Sequence, residues 1–418
     1  MTALPASFAL GAAAAGSGPH EHLPWTRQAT LYEVNVRQYT REGTLAAFAA
    51  HLPRLRALGV DILWLMPIQP IGKRNRKGRL GSYYSIDDYE AVNPEFGDLD
   101  ALRALVRDAH RLGMRVMLDW VANHTAWDHP WTRDHKDWYK LDAHGEIYPV
   151  TFAEGTDHEE RWTDVVALDY RSRALREAMI AAMAFWLRAA DIDGFRCDVA
   201  GLVPVDFWVE ARARLDAIKP VFMLAEASEP ALHQAFDMSY GWDTAELMRK
   251  IAQGRADAGA LRAWVRGLPH GFPADAYRMR FTTNHDYNSW NGSDGELYGA
   301  ARAAMTVLTF TLPGMPLIYS GQEAGLDRRL DFFDRDVIDW SDLSASRLYA
   351  ELAALKKRSP ALAAGQYGGA VELRDAGDPA LFAFTRRVGT NRVDVTVNLG
   401  AKPAGGLAPW RWTIAEHA

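Results

Sequence analysis

The sequence of 418 residues is poor in cysteine and has no excess of basic side chains. Its one cysteine, Cys197, cannot form an intrachain disulfide, and a cage of several cysteines around a metal ion is excluded. Lys and Arg number 47 against 53 Asp and Glu, which gives a formal net charge of −6. Since nucleic acid needs a basic surface opposite its phosphates, we expect no nucleic-acid partner.

The sequence also lacks a long hydrophobic run without interruption. Residues 303–322 carry no formal charge over a length that could span a bilayer, but two prolines and a glycine interrupt them. We predict a buried helix, a turn and a buried strand there, and no membrane partner. Residues 1–19 lack the basic side chains that precede the apolar part of a secretory signal. We therefore expect a cytoplasmic protein with a flexible arm over residues 1–24, while export stays open.

From residue 25 onward, short apolar runs alternate with longer amphipathic stretches, which predict strands and helices respectively. The predicted strands are 31–36, 61–66, 114–120, 193–198, 221–226, 235–239, 280–284 and 316–320. The predicted helices are 44–58, 99–112, 172–190, 206–218, one from about Asp243, 296–311 and 344–357. Strand–helix alternation favours parallel pairing with right-handed crossovers. Eight such units predict an α/β fold, a (β/α)8 TIM barrel.

Two segments break this alternation. Residues 125–167 are polar and aromatic and are too long for a plain connection, so we predict a short inserted domain after strand three. Period-two patterns joined by Gly, Asp and Asn turns predict a C-terminal all-β domain over 361–418. The barrel itself is then formed by 25–124 and 168–360.

Polar side chains gather where the predicted strands end, which is where barrel enzymes place their active sites. In chain order they are Asp119, Asn123, His124, Arg196, Asp198, Glu226, Asn284, His285 and Asp286. Any one of them alone is more often a helix cap, an ion pair or a solvated group. Gathering several carboxylates at one barrel mouth costs electrostatic free energy that the fold does not require, which indicates a functional site.

This set of side chains meets the needs of glycosidic bond cleavage with retention of configuration. That reaction uses two neighbouring carboxyl groups, one as the nucleophile and one as the proton donor. A third carboxylate stabilises the positive transition state, and an arginine keeps the nucleophile ionised. Histidines can donate hydrogen bonds to sugar hydroxyls, and a tyrosine can stack on the ring. The candidates for these roles are Asp198, Glu226, Asp286, Arg196, His124, His285 and Tyr84.

Several segments resemble the signatures of the α-amylase family of glycoside hydrolases, which are D-x-V-x-N-H, G-F-R-x-D, a glutamate further along the chain and F-x-x-N-H-D. The matching positions are 119–124, 194–198, Glu226 and 281–286. In addition, 84–89 is similar to the family loop that supplies a stacking tyrosine, and 314–323 to its eighth-strand segment. Four signatures in the family order are far more specific than any one of them.

The resemblance implies a retaining enzyme active on α-glucans, with an insertion after strand three of its barrel and a C-terminal β-domain. It implies Asp198 as the nucleophile, Glu226 as the acid/base and Asp286 as the stabilising carboxylate. Substrate contacts are implied for Tyr84, His124, Arg196 and His285, and supporting roles at the site for Asp119 and Asn284.

The sequence departs from the family pattern at three positions. Gly201 and Leu202 stand where many members carry a Lys-His pair that serves calcium and the outer sugar sites. Asn123 is the one calcium ligand that we can still name, although Ca²⁺ takes six to eight oxygens. We therefore expect no required cofactor and leave calcium open. Ser85 stands where many relatives have aspartate, so we expect sugar recognition beside the cleavage site to differ.

The leading hypothesis is hydrolysis of α-1,4 bonds in maltooligosaccharides or starch-like glucans through a covalent glycosyl-enzyme. Transglycosylation and sugar isomerisation use the same machinery and differ only in the acceptor. A non-catalytic binding barrel is disfavoured by the three intact carboxylates. A barrel enzyme for sugar phosphates would need a Gly-rich phosphate loop, but Gly321 is isolated and Glu323 would repel phosphate. We expect an α-glucan or oligosaccharide as substrate and a monomer or small homo-oligomer.

Overall fold

The computed structural model describes residues 21–153 and 155–417. The strands, in chain order, are β1 (Leu31–Val34), β2 (Ile62–Leu65), β3 (Arg115–Trp120), β4 (His124–Ala126), β5 (Pro149–Phe152), β6 (Glu160–Ala167), β7 (Gly194–Cys197), β8 (Phe222–Ala225), β9 (Met238–Tyr240), β10 (Tyr277–Arg280), β11 (Met315–Tyr319), β12 (Glu372–Leu373), β13 (Leu381–Val388), β14 (Asn391–Asn398) and β15 (Trp412–His417).

Eight of these strands close into a parallel barrel. Around it the order is β1, β2, β3, β7, β8, β9, β10 and β11, and β11 pairs with β1 to complete the ring. Most barrel strands are buried along their whole length because side chains fill the inside and helices cover the outside. The predicted (β/α)8 barrel is therefore confirmed.

Helices lie between the barrel strands and pack on their outer faces. In chain order they are α1 (Val36–Tyr39), α2 (Leu45–Ala49), α3 (Leu52–Leu58), α4 (Leu99–Arg111), α5 (Pro130–Asp134), α6 (Arg173–Ala190), α7 (Val205–Asp216), α8 (Trp242–Ala252), α9 (Ala258–Arg266), α10 (Asp294–Tyr298), α11 (Arg302–Thr311) and α12 (Ser346–Arg358). Several begin where the sequence offers a cap. Asp98, for example, accepts a hydrogen bond from the Ala101 amide at the start of α4.

The seventh barrel strand lies earlier in the chain than predicted. The prediction was 280–284, but β10 ends at Arg280 and the next residues form a loop above the barrel rim. Two arginines in β10 obscure its buried character in the sequence. Both are buried because Arg278 donates to the Ser239 hydroxyl (2.7 Å) and Arg280 Nε donates to the Pro313 carbonyl (2.7 Å).

Two predicted helices are divided in the structure. The helix predicted over 44–58 forms α2 and α3, and Pro53, which has no amide hydrogen, lies in the first turn of α3. The helix predicted over 296–311 forms α10 and α11, because Gly299 between them has a left-handed φ of +50°. Residues 303–322 form most of α11, a turn and β11, as predicted.

Two smaller antiparallel sheets accompany the barrel. Strands β4, β6 and β5 form one within the segment that follows β3. Strands β12 to β15 form the other in chain order, so the predicted C-terminal all-β region is confirmed. On β14, the buried Val393, Val395 and Val397 alternate with half-buried Asp394 and Thr396, as expected of a sheet with one covered face.

The chain before β1 is tied to the base of the barrel. Of the arm predicted over 1–24, residues 1–20 lie outside the described residues. His22, by contrast, is buried, and its Nδ1 lies 2.9 Å from Asp237 Oδ1. In the part of the chain that the structure describes, each helix is too short or too polar to span a membrane.

Candidate active site

Arg196 is at the centre of the polar cluster above the barrel. It lies on β7 and is completely buried. Its guanidinium contacts three carboxylates, namely Asp119 Oδ1 (2.9 Å), Asp198 Oδ1 (2.9 Å) and Glu226 Oε2 (3.0 Å). One guanidinium thus brings together carboxyl groups from the ends of β3, β7 and β8. The side chains of Asp198 and Glu226 are held next to each other, as the pairing of a nucleophile with an acid requires.

Gly194 allows this close arrangement. A Cβ atom on Gly194 would lie 1.9 Å from the Phe222 carbonyl oxygen on β8, a distance that no side chain tolerates. The first residue of the G-F-R-x-D segment is therefore glycine because β7 and β8 approach each other closely there. That approach sets the positions of Arg196 and Asp198 relative to Glu226.

Burial and charge together control the protonation of the carboxyl pair. Burial, followed by the nearby Glu226 carboxylate, raises the pKa of Asp198 well above its ordinary value, while Arg196 opposes this rise. Burial also raises the pKa of Glu226, and Arg196 again opposes it. Two carboxylates this close do not both ionise readily, so the pair shares a proton. One ionised and one protonated carboxyl group is the state that retaining cleavage needs.

Asp119 anchors the floor of the site. Its side chain is fully buried and accepts hydrogen bonds from Arg196, from Trp64 Nε1 (3.0 Å) and from the Tyr84 hydroxyl (3.1 Å). With its oxygens so occupied, Asp119 fixes the orientation of Arg196 and Tyr84. This geometry supports the predicted structural role of Asp119.

His285 joins the loop after β10 to the tyrosine loop. Its Nε2 lies 2.7 Å from the Tyr84 hydroxyl and 3.3 Å from Asp286 Oδ2, and the His285 and Tyr84 rings stack at 5.3 Å. Burial lowers the pKa of His285, but the carboxylates of Asp286 and Glu33 outweigh it and raise the pKa to about 9. The Asp286 side chain is 27% exposed, more than Asp198 or Glu226, which leaves it accessible from the cleft.

His124 and the two predicted asparagines lie at the edges of the cluster. Burial lowers the pKa of His124 to about 4, so its imidazole is neutral near pH 7. The Asn123 side-chain amide lies 3.2 Å from His124 Nδ1 and fixes the ring. Asn284 Oδ1 accepts a hydrogen bond from the Tyr287 amide (2.8 Å), which orders the loop that carries His285.

The sequence did not reveal three residues that contact this cluster. Glu33 on β1 lies 2.5 Å from His285 Nδ1, Tyr240 on β9 accepts from Arg196 Nε (3.2 Å), and Trp64 donates to Asp119. The sequence offers one signal for Glu33, namely an ionisable residue inside a strand whose two faces are both covered. Trp64 and Tyr240 carried no such signal, because buried aromatic residues are common in barrel strands.

The surroundings of Asn123 do not form an evident calcium site. Within residues 21–153 and 155–417, no group of three or more His, Cys, Asp or Glu side chains is placed to hold a metal ion. The Asn123 amide instead contacts His124. Calcium binding by Asn123 stays a prediction, and no chemical step below depends on it.

Comparison with known proteins identifies the family. The model of the α-amylase catalytic domain matches residues 3–361. The chain belongs to the α-amylase family. Among solved structures, an α-amylase from Lactobacillus plantarum is 34% identical, with a TM-score of 0.79 over 89% of this chain and 88% of that one. A maltogenic α-amylase, AmyB, from Thermotoga neapolitana is 30% identical, with a TM-score of 0.80 over 89% and 86%.

Curated relatives include both hydrolases and transferases. The α-amylase MalA of Haloarcula japonica is 30% identical over 94% of this chain and 58% of its own length. An α-1,4-glucan:maltose-1-phosphate maltosyltransferase of Rhodospirillum rubrum is 32% identical over 61% of this chain and 39% of its own length. The chain thus spans about half the length of these relatives. It is an enzyme of a family that contains glycosidases and glycosyl transferases, and the predicted family membership is confirmed.

Proposed function

We propose that the protein hydrolyses α-1,4-glucosidic bonds in maltooligosaccharides or starch-like glucans, with retention, through a covalent glycosyl-enzyme. The observation that carries this proposal is the single buried guanidinium of Arg196 that contacts both Asp198 and Glu226. A nucleophile and an acid that contact one guanidinium are neighbours, as double displacement requires. The family members named α-amylase favour the same reaction.

In the first step, the Asp198 carboxylate attacks the anomeric carbon and forms a glycosyl ester. Arg196 donates to Asp198 Oδ1, which favours the ionised carboxylate against the effect of burial and leaves Oδ2 for attack. Glu226 gives its proton to the departing glycosidic oxygen, so the leaving sugar departs as a neutral alcohol. The negative charge of Asp286 stabilises the oxocarbenium-like transition state.

In the second step, water replaces the departed sugar. The Glu226 carboxylate takes a proton from the water, whose oxygen attacks the anomeric carbon and breaks the ester to Asp198. The product leaves with its original anomeric configuration, and Glu226 is protonated again. Tyr84, His124 and His285 surround the reacting sugar in this proposal, with Tyr84 stacking on the ring and the histidines contacting its hydroxyls.

Glycosyl transfer is the second candidate function. Leu202 is 44% exposed just after the nucleophile, and a Cβ on Gly201 would lie 3.3 Å from the Glu229 carboxylate. An exposed apolar side chain four residues after Asp198 offers a surface on which the face of an acceptor sugar can pack. The relatives named maltosyltransferase support this reading.

The test is incubation with maltoheptaose, followed by product sizing and time-resolved anomeric NMR. Wild type is expected to release α-anomers first, and Asp198→Asn to lose activity by about 10⁴-fold or more. Asp206→Asn, which changes an exposed aspartate on α7, is the matched control and retains activity. Products longer than seven units would favour transfer. First-formed β-anomers, or wild-type turnover by Asp198→Asn, would contradict the proposal.

A further inference from the structure

Glu33 is an ionisable side chain within a strand that is otherwise buried and uncharged. It lies on β1, is completely buried, and its Oε1 is 2.5 Å from His285 Nδ1. Its Oε2 has no hydrogen-bond partner among the described residues. Burying a carboxyl group so far from water costs free energy unless a partner compensates for it. His285 is that partner, which indicates a role for Glu33 beyond filling the barrel.

The hydrogen bonds around His285 determine where its protons lie. The Tyr84 hydroxyl has one proton, and it donates this proton to Asp119 Oδ2. Asp119 acts as an acceptor because Arg196 and Trp64 already donate to it. The Tyr84 oxygen therefore accepts from His285 Nε2, 2.7 Å away, so Nε2 carries a proton. The 2.5 Å contact between Nδ1 and Glu33 Oε1 holds a second proton, which makes the ring an imidazolium when Nδ1 carries it. Burial raises the pKa of Glu33, and the attraction of His285 opposes this rise.

The charges that face this pair come from most of the barrel strands. Around Glu33 and His285 the titratable and charged groups are Asp119 on β3, Arg196 on β7, Glu226 after β8, Tyr240 on β9, Asp286 after β10, Tyr319 on β11 and Tyr84. Arg196 disfavours a second cation nearby, whereas Asp286 and Glu33 favour it. Asp286 is partly exposed to solvent, so Glu33 is the fully buried counter-ion on the Nδ1 side.

We propose that Glu33 is a positioning residue that holds His285 as an imidazolium, with its Nε2–H fixed on the sugar side of the ring. The catalytic consequence rests on the proposed function. The Nε2–H donates to the Tyr84 hydroxyl in the free enzyme, and a cationic donor binds this oxygen, or a sugar hydroxyl that replaces it, more strongly than a neutral imidazole does. Since both ring nitrogens of an imidazolium carry a proton, neither of them presents a lone pair to the substrate.

The direct test is a histidine NMR titration of wild type and Glu33→Gln, with the His285 signals assigned by loss in His285→Asn. Glutamine keeps the shape of the side chain and an oxygen acceptor but removes the charge. In wild type, both ring nitrogens of His285 are expected to be protonated at pH 7. In Glu33→Gln, the midpoint pH of the His285 titration is expected to fall by at least one unit. Glu323→Gln removes another fully buried carboxyl group, bonded to Tyr32 and Arg54, and is expected to leave this transition unchanged.

Activity supplies the second measurement. Glu33→Gln is expected to lower kcat on maltoheptaose by about tenfold, the difference between a charged and a neutral donor, and to move the alkaline limb of the kcat profile to lower pH. If Glu33 had a purely structural role, Glu33→Gln would lower Tm and leave the alkaline limb of the kcat profile in place. This result would overturn the proposal.

Further outcomes separate this proposal from the proposed function. A neutral His285 in wild type at pH 7 would overturn the proposal even if Glu33→Gln failed to fold. An unchanged His285 titration in a folded Glu33→Gln variant would do the same. If wild type cleaves no α-glucan, the proposed function fails, while the titration still decides whether Glu33 holds the imidazolium.

Discussion

At the residue scale, the candidate site depends on a few charged groups held where water is scarce. Arg196 satisfies three carboxylates at once, so the site can hold more acidic groups than a barrel mouth would otherwise tolerate. The proton shared by Asp198 and Glu226 follows from this crowding. The chemistry therefore depends on the environment of each carboxyl group as much as on its identity.

The acid role that we propose for Glu226 predicts an effect that depends on the leaving group. Glu226→Gln is expected to lower kcat on maltoheptaose by about 10²- to 10⁴-fold, because the departing oxygen is no longer protonated. On a 2,4-dinitrophenyl α-maltoside the rate of the first step is expected to fall much less, since this leaving group departs without a proton. Pre-steady-state release of 2,4-dinitrophenol measures the rate of this first step. An equal loss of rate on both substrates would contradict the assignment of Glu226 as the acid.

The raised pKa of His285 predicts a stability that depends on pH. Its pKa in the folded protein is about 9, above the ordinary 6.5, so its stabilising contribution is complete below pH 6.5 and lost as pH rises through 9. Relative to His285→Asn, wild type is expected to lose roughly 3 kcal/mol of unfolding free energy over that range. Urea unfolding at pH 6, 7.5 and 9.5 checks it. A constant difference between the two proteins at all three pH values would show the prediction to be wrong.

The sequence allowed prediction of the residues whose signatures are contiguous. Asp198 and Glu226 come directly after β7 and β8, and Asp286 lies in the loop after β10. Short motifs mark Asp198 and Asp286, and its place after Asp198 in the family order marks Glu226. Glu33 could not be assigned in this way, because it reaches His285 only after the barrel has closed and β1 lies near the end of β10. Contacts made across a closed barrel leave no local pattern in the chain.

At the element scale, the close pairing of β7 and β8 sets the geometry of the site. Gly194→Ala is expected to lower unfolding free energy by about 3 kcal/mol, since the added methyl group meets the Phe222 carbonyl. It is also expected to lower kcat by about 100-fold by moving Arg196 and Asp198. Thermal unfolding and maltoheptaose kinetics measure both effects.

Gly113 provides the control for this prediction. It has a left-handed φ of +76°, and a Cβ there meets no atom within 4 Å. Gly113→Ala is expected to cost about 1 kcal/mol of backbone strain and to leave kcat unchanged. Should Gly194→Ala behave like Gly113→Ala, the close approach of β7 and β8 would not be needed for activity.

Element boundaries were harder to predict than element types. The apolar runs of β2 and β8 were found directly, since both of their faces are covered. The prediction placed β10 too far along the chain. Arg278 and Arg280 are buried in the structure, but arginines usually lie at the surface, so the sequence did not indicate a buried strand there. Their partners include hydroxyl groups, a carbonyl group and the Asp243 carboxylate on other segments, and only the folded chain brings these together.

At the scale of the whole molecule, the C-terminal sheet contacts the end of the barrel opposite the candidate site. Arg386 on β13 is buried and donates to the carbonyls of Thr311 (3.2 Å), Ala363 (2.9 Å) and Gly369 (2.8 Å). Thr311 ends α11, just before the amino end of β11. Because the candidate site lies at the carboxyl ends of the strands, this junction supports the fold without touching the substrate.

The junction predicts a change in stability without a change in catalysis. Arg386→Met leaves three buried carbonyls without a donor and is expected to lower unfolding free energy by roughly 2–4 kcal/mol. Calorimetry measures the fall in Tm, and kcat on maltoheptaose at 25 °C is expected to match wild type. A loss of kcat with an unchanged Tm would place the junction in the catalytic machinery instead.

The count of eight strand–helix units was enough to predict the architecture, because few folds accommodate that alternation. The position of the C-terminal sheet was not predictable, since it depends on contacts such as those of Arg386. The chemistry that we propose at the opposite end of the barrel requires a covalent glycosyl ester on Asp198, and a direct measurement of this ester is possible.

That measurement is mass spectrometry of the enzyme after reaction with a 5-fluoro-α-glycosyl fluoride, which forms the glycosyl ester quickly and hydrolyses slowly. The account predicts a mass increase of one fluoroglycosyl unit, located by peptide fragmentation on Asp198. Asp198→Asn is expected to show no label. A label on Glu226, on Asp286 or on any other side chain would contradict the proposed mechanism.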